Sequence, residues 1–253
     1  MALVLQRASE RMAYADGPFR IWRSYPGRGV AADSGLGPIG AVDHGDLLVG
    51  LRVPMHEHKD DEIISYLRSG VMMHTDSSGR NVELSPGRLM VMNAGSGLSH
   101  EESVPAEAAR VRMLQIFVRP RALGLEPGVQ FGDVDPVVPD AEWRLLVGAE
   151  GTGAAIYVRS AVDLYDTRLG TGDRRHVPAR TGCGWWIYVF SGEVEIDGMR
   201  IGEGDSLASP GESEGEILAH SDAEIVCFVY DLAAPYTDRG TLSGRRRLRG
   251  TSR

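Results

Sequence analysis

Short apolar runs broken by Gly, Pro, Ser and Asp recur along the chain: Leu47–Val53, Ile63–Leu67, Val71–Thr75, Leu89–Met92 and Met113–Val118 in the first half. Runs of this length, bounded by turn residues, read as β-strands, because a helix needs a longer stretch with apolar positions three and four apart. Asp76-Ser77-Ser78-Gly79 provides a hairpin turn from Val71–Thr75 into Val82–Leu84, and Ser85-Pro86-Gly87 a second turn before Leu89. The second half repeats this grammar in Ala154–Leu164, Trp185–Phe190, Glu193–Ile196, Ser206–Ala208 and Glu224–Tyr230. Tyr66-Leu67-Arg68-Ser69-Gly70 and Tyr188-Val189-Phe190-Ser191-Gly192 stand at the same point of the strand pattern, and Pro86-Gly87 before Leu89 is echoed by Gly204-Asp205 before Leu207. The repeat predicts an all-β protein built as a duplicated barrel, joined in the loop-rich region around Arg119–Asp140.

Charge narrows the partners. The chain carries a net charge of −8 over 253 residues, which argues against clamping a polyanion over a broad face. Arg245, Arg246, Arg247, Arg249 and Arg253 place five positive charges in the last nine residues, leaving −8 − 5 = −13 on the rest. This end is expected to be a solvated, disordered tail rather than a nucleic-acid arm. The expected organisation is therefore residues 1–130, 131–240 and a basic tail over 241–253. Cys183 and Cys227 form no Cys-x-x-Cys pair and read as buried thiols. Residues 1–25 carry no signal-type apolar run, because Arg7, Glu10, Arg11 and Asp16 interrupt it, and no segment is long enough to span a bilayer. A cytoplasmic protein is expected.

Two motifs carry chemistry. Side chains alternate faces along a strand, so His56 and His58 point one way, and so do His100 and Glu102. If the two strands are neighbours, three imidazoles and a carboxylate meet in one small volume. Such a set without sulfur suits Fe(II), Mn(II), Co(II) or Ni(II), and four ligands leave two positions of an octahedron open for dioxygen and a substrate oxygen. His44, His74, His176 and His220 are read as hydrogen-bonded core or surface histidines. The region matching His56-x-His58 in the second half, Pro178–Cys183, has no histidine pair, and His220 stands alone, so the second barrel is expected to lack a site.

His56-x-His58, Glu62, Tyr66, Gly70, His74, Asp76, Gly79, Pro86-Gly87, Ala94-Gly95-Ser96-Gly97 and His100-x-Glu102 together resemble the pirin family of bicupins. The match is strongest over residues 47–118. The resemblance implies two tandem cupin (double-stranded β-helix) barrels, with one mononuclear iron in the first held by His56, His58, His100 and Glu102. Mn, Co, Ni, Cu or Zn are the other candidate metals. Other cupins use a glutamate at position 62 as a ligand, but the pirin pattern uses Glu102, so Glu62 is expected to be structural or to sit behind the ligands.

The activity implied is that of a quercetin 2,3-dioxygenase, opening a flavonol or another enolic aromatic substrate with O2, with Glu102 taking the substrate proton. The alternative implied by the same family is a metal- or redox-responsive regulatory module that contacts a protein and does not turn over. Relatives carry Pro where this chain has Glu57 and an apolar residue where it has Asp61. Both carboxylates are expected near the pocket mouth, where they would disfavour an anionic substrate. Glu101 also departs from the family's small residue, and its alternation points it away from the metal.

Overall fold

The computed structural model describes residues 2–28 and 33–246. The described residues are almost entirely strands and turns, in two compact units. Among them no helix is long and apolar enough to cross a membrane. The units interleave in sequence. One comprises Arg11–Pro136, Ala155–Ser160 and the chain from Pro235, and the other Met1–Glu10, Val137–Ala154 and Ala161–Ala234. Of the basic end, residues 241–246 are described and packed into the first of these units. Arg247, Arg249 and Arg253 lie outside the described residues.

The unit that carries the histidine motifs is a sandwich of two antiparallel sheets. The larger has seven strands in the order Gly128–Asp133, Arg88–Asn93, Glu62–Ser69, Val111–Val118, Ile39–Leu47, Phe19–Ser24 and Met12–Asp16. The smaller has four: Arg52–His58, Leu98–Ser103, Met72–Asp76 and Asn81–Leu84. Between them lies a core that includes Leu47, Ile63, Leu67, Met72, Leu84, Met90, Met92, Met113 and Phe117. The alternation of Leu98–Ser103 shows why the sandwich can hold a site: Leu98, His100 and Glu102 are buried while Ser99, Glu101 and Ser103 are partly exposed. Polar side chains here share an inner face with leucine.

Two expected strands break in the structure. Leu47–Val53 divides into Ile39–Leu47 and Arg52–His58, because Gly50 turns the chain at φ 78° and Leu51 N–H closes onto Leu48 O at 3.2 Å. Ala154–Leu164 divides into Ile156–Val158 and Val162–Leu169, and the backbone N–H of the intervening Arg159 is bound by the buried carboxylate of Glu62 at 2.9 Å. The strand Ile39–Leu47 is buried along its whole length although it carries Asp43, His44 and Asp46. Its charges are paired in place. Asp43 receives both Nε and NH2 of buried Arg23 at 2.6 Å, and Asp46 pairs with Arg110. Paired in this way, a buried carboxylate avoids the several kcal/mol that an isolated one would cost, roughly.

In the other unit, Cys183–Ser191 is flanked by Ser206–Ser209 and Ala223–Asp231, with Val162–Leu169 beyond. A smaller sheet runs Arg174–His176, Glu216–Ala219, Glu193–Ile196 and Met199–Gly202. Its hydrophobic core includes Trp185, Ile187, Val189, Ile196, Leu207, Ile217, Ile225, Cys227 and Val229. Trp185 is fully buried, and its indole N–H donates to Ser213 O at 3.0 Å. Each unit is thus a cupin sandwich, and the chain is a tandem pair.

Candidate metal centre

The two motif strands pair antiparallel, as the histidine spacing requires. His100 lies directly opposite His56, and Leu98 opposite His58. On its other side, Leu98–Ser103 pairs with Met72–Asp76, placing His100 opposite Asp76 and Glu102 opposite His74. A register shift separates His100 from Glu102 on the first of these edges, so that Glu102 faces Val53. The loop leading into Leu98–Ser103 is closed by glycines. Gly95 sits at φ 52° with its O accepting from Asp60 N–H at 2.8 Å, and a Cβ there would strike the backbone of Leu125.

One nitrogen from each of His56, His58 and His100 lies within 4.8 Å of the others, and the ring centroids are 4.6 to 5.1 Å apart. His58 and His100 are buried, whereas His56 is partly exposed. The Nδ1 atoms are all engaged. His56 Nδ1 donates to Pro54 O at 2.8 Å, His58 Nδ1 meets Asp61 Oδ2 at 3.2 Å, and His100 Nδ1 lies 3.4 Å from His74 Nδ1. His100 Nε2 is buried and has no hydrogen-bond partner. A buried ring nitrogen without a partner calls for an explanation, and three clustered imidazoles whose Nδ1 sides are all engaged suit a divalent transition metal.

Electrostatics favour the neutral forms. Burial, reinforced by the imidazoles of His58, His56 and His74, pushes His100 down to about 2. Burial also lowers His56, and it lowers His74 despite the opposing hydrogen bond to Asp76. His74 Nε2 is 3.2 Å from Asp76 Oδ2. Burial would raise the Asp76 carboxyl, but hydrogen bonds from Ser78, His74 and the Arg80 and Ser78 backbone outweigh it and hold the group below the usual carboxylate range. Behind His100 there is therefore a neutral imidazole and behind that an anion.

The remaining residues fall into different places. Glu102 is buried near His58, its Oε1 accepts from Gln115 Nε2 at 2.9 Å, and burial raises its carboxyl. It is not among the three clustered ligand residues. Glu62 is fully buried and bound by Asn93 Nδ2 at 2.7 Å and by Arg159 N and Nε at 2.9 and 3.2 Å. Glu57 is exposed, and Glu101 pairs outward with Arg52 at 2.8 Å. Asp61 corrects the sequence reading. Rather than lining a mouth it is fully buried, bonded to His58 and to the segment Leu242–Ser243. Nothing in the local sequence signals this, because its partners come from about 180 positions away in the chain. His74, read as an ordinary core histidine, contacts His100 directly.

Of the other histidines, His44 is buried edge-on to Trp22, His176 is exposed, and His220 binds Glu195 at 3.2 Å. No second group of three metal-capable side chains occurs among the described residues. In the second unit buried aromatic and aliphatic residues cluster around Trp185.

The pirin family model matches residues 32–118, and the model for the quercetinase C-terminal cupin domain matches residues 145–229. A putative quercetin 2,3-dioxygenase of Zymomonas mobilis is 30% identical over 178 residues, covering 69% of this chain and 74% of that protein. The quercetin 2,3-dioxygenase of Escherichia coli K12 is 29% identical over 173 residues, covering 68% and 74%. Among solved structures, YhhW from Escherichia coli superposes with a TM-score of 0.82 at 24% identity, covering 93% of this chain and 100% of that one. The same bacterial pirin in complex with nickel(II) gives 0.79 at 24% identity, covering 91% and 99%. At that identity the structural likeness speaks for the fold.

Proposed function

Since the chain belongs to the pirin family, we propose that it is a metal-dependent dioxygenase of quercetinase type. Its centre is mononuclear, with iron the metal best suited to the reaction. The ligands in this reading are His56, His58 and His100 through Nε2, with Glu102 as the fourth. The observation that carries it is the common engagement of all three Nδ1 atoms, together with the orphaned Nε2 of His100. The names of the Zymomonas mobilis and Escherichia coli relatives support the reaction class.

A metal held there would supply Lewis acidity to an enolic oxygen and, as iron, an electron path between substrate and dioxygen. The protein's own part is proton transfer and exclusion of water. Gln115 orients the Glu102 carboxylate through Oε1, and we assign that carboxylate, besides its place as fourth ligand, the role of accepting the hydroxyl proton of a flavonol-like substrate. Phe117, with its ring 6.4 Å from that of His58, contributes apolar wall beside the ligands. His56, the only partly exposed ring of the three, marks the side from which substrate enters.

The test is oxygen uptake by anaerobically iron-loaded protein given quercetin, with His56→Ala as control. Uptake well above that control supports the dioxygenase. Uptake no greater than the control, with iron still bound by the wild type, would leave a metal-binding module without this turnover.

A further inference from the structure

Asp61 stands one residue before Glu62 and three after His58, yet its carboxylate is held by the other end of the chain. Oδ1 accepts from Ser243 Oγ at 2.6 Å and Ser243 N at 2.9 Å, and Oδ2 accepts from Leu242 N at 2.9 Å. Oδ2 also meets His58 Nδ1 at 3.2 Å. Ser243 is fully buried, and Leu242 packs on the core of the same unit. The contact is built on both sides. Thr241 N donates to Lys59 O at 3.0 Å while Lys59 N donates to Thr241 Oγ1 at 2.9 Å, and Arg119 Nε binds Ser243 O at 2.8 Å. Residues 238–245 fold on themselves through Gly244 N to Gly240 O at 3.1 Å and Arg245 N to Asp238 O at 2.7 Å. Gly240 must be glycine for the contact to form, since a Cβ there would overlap Asp61 Oδ1, Ser243 Oγ and Asp60 O.

This arrangement does more than anchor a chain end. A carboxylate that receives the Nδ1 proton of a histidine fixes the ring's tautomer and rotation and makes Nε2 a better donor to a metal. Held by three donors from 242–243, Asp61 has little freedom to move away from His58. We propose that residues 238–245 form a clasp that sets the position of His58 through Asp61, so that metal affinity in the histidine site depends on the C-terminal end of the chain. Asp61 is then a positioning residue. The inference rests on the metal reading of His56, His58 and His100.

Asp61→Asn separates positioning from packing. Its amide oxygen best occupies the Oδ1 place, where three donors converge, which turns the NH2 toward His58 and favours the tautomer with the proton on Nε2. Gly240→Ala displaces the clasp while leaving Asp61 and every ligand unchanged, and Ser243→Ala removes a single bond. The experiment is Co(II) titration of each full-length protein, read by dissociation constant and by the visible d–d spectrum, with the thermal melt of the metal-free form alongside. Asp61→Asn is expected to weaken Co(II) binding about 10–100-fold with an altered spectrum. Gly240→Ala should act in the same direction, and Ser243→Ala should lose less than Asp61→Asn. If the wild type binds Co(II) and the folded variants match its affinity and spectrum, the clasp is wrong and the metal site stands. If the wild type takes up no Co(II), both are wrong.

Discussion

His100 and His74 face each other through their Nδ1 atoms at 3.4 Å. Only one of the two can carry the proton of that contact. His74 Nε2 lies 3.2 Å from the anionic Asp76, which fixes the His74 proton on Nε2 and leaves its Nδ1 as the acceptor. His100 must then donate from Nδ1, and its Nε2 is left as an unprotonated lone pair, buried and without a protein partner. The chain Asp76–His74–His100 is a device for presenting one nitrogen in one protonation state.

His74→Phe removes the acceptor while roughly keeping the ring's bulk. Metal affinity is expected to fall about 10–100-fold, measured by Co(II) or Ni(II) titration of the folded variant. Unchanged affinity would mean that the His100 tautomer is set by something other than His74.

Glu102→Gln keeps the shape of the side chain and removes its basicity. On the proposed reaction, turnover is expected to fall about 10²-fold or more, the usual contribution of positioned proton transfer. Metal should still be retained by the three histidines. Single-turnover oxygen consumption and metal analysis of the same sample check both halves, and full activity in the variant would remove Glu102 as the base.

Glu62 is expected to act in folding and not in metal binding. Arg159→Met leaves its buried carboxylate without its cationic partner, which should cost about 3 kcal/mol in urea unfolding. Metal stoichiometry should stay the same. Loss of metal in this variant would instead put Glu62 in the ligand set.

His44 gives a pH signature remote from the three clustered ligands. Burial, helped by Arg11 and Arg112, pushes it down to about 3, against an ordinary 6.5. The unfolded chain therefore binds a proton that the folded one refuses, and stability falls as pH drops below 6.5 toward the folded value. Relative to His44→Gln, the wild type should lose about 1.4 kcal/mol per pH unit in that window, or about 2 kcal/mol by pH 5. Urea unfolding of both proteins from pH 7 to pH 5 tests this, and parallel curves would contradict it.

The legible part of this molecule was the part with a short period. Alternation along Arg52–His58 and Leu98–Ser103 predicted the shared face of His56, His58 and His100, and the paired strands place them together. The duplicated barrel was legible because turn residues recur at matching points. Charged residues inside strands hid Ile39–Leu47, whose Asp43 is neutralised by Arg23 from a neighbouring strand. Asp61 was misplaced for a similar reason. A carboxylate in sequence looks solvent-seeking, and only the fold reveals that Leu242 and Ser243 supply the donors that let it be buried. The register shift opposite His100 and Glu102 puts its extra residue on the partner strand, at Pro54–Met55, while Leu98–Ser103 keeps its alternation, so Glu102 stays on the buried face that carries His100.

The central claim is that His56, His58 and His100 hold one metal ion. Metal content per chain, determined after anaerobic loading with Fe(II) and removal of excess, tests it most directly in the wild type and in a His56→Ala/His58→Ala/His100→Ala variant confirmed as folded. The account predicts one ion per wild-type chain and none in the variant. Equal metal content in the two, or none in the wild type, would contradict it.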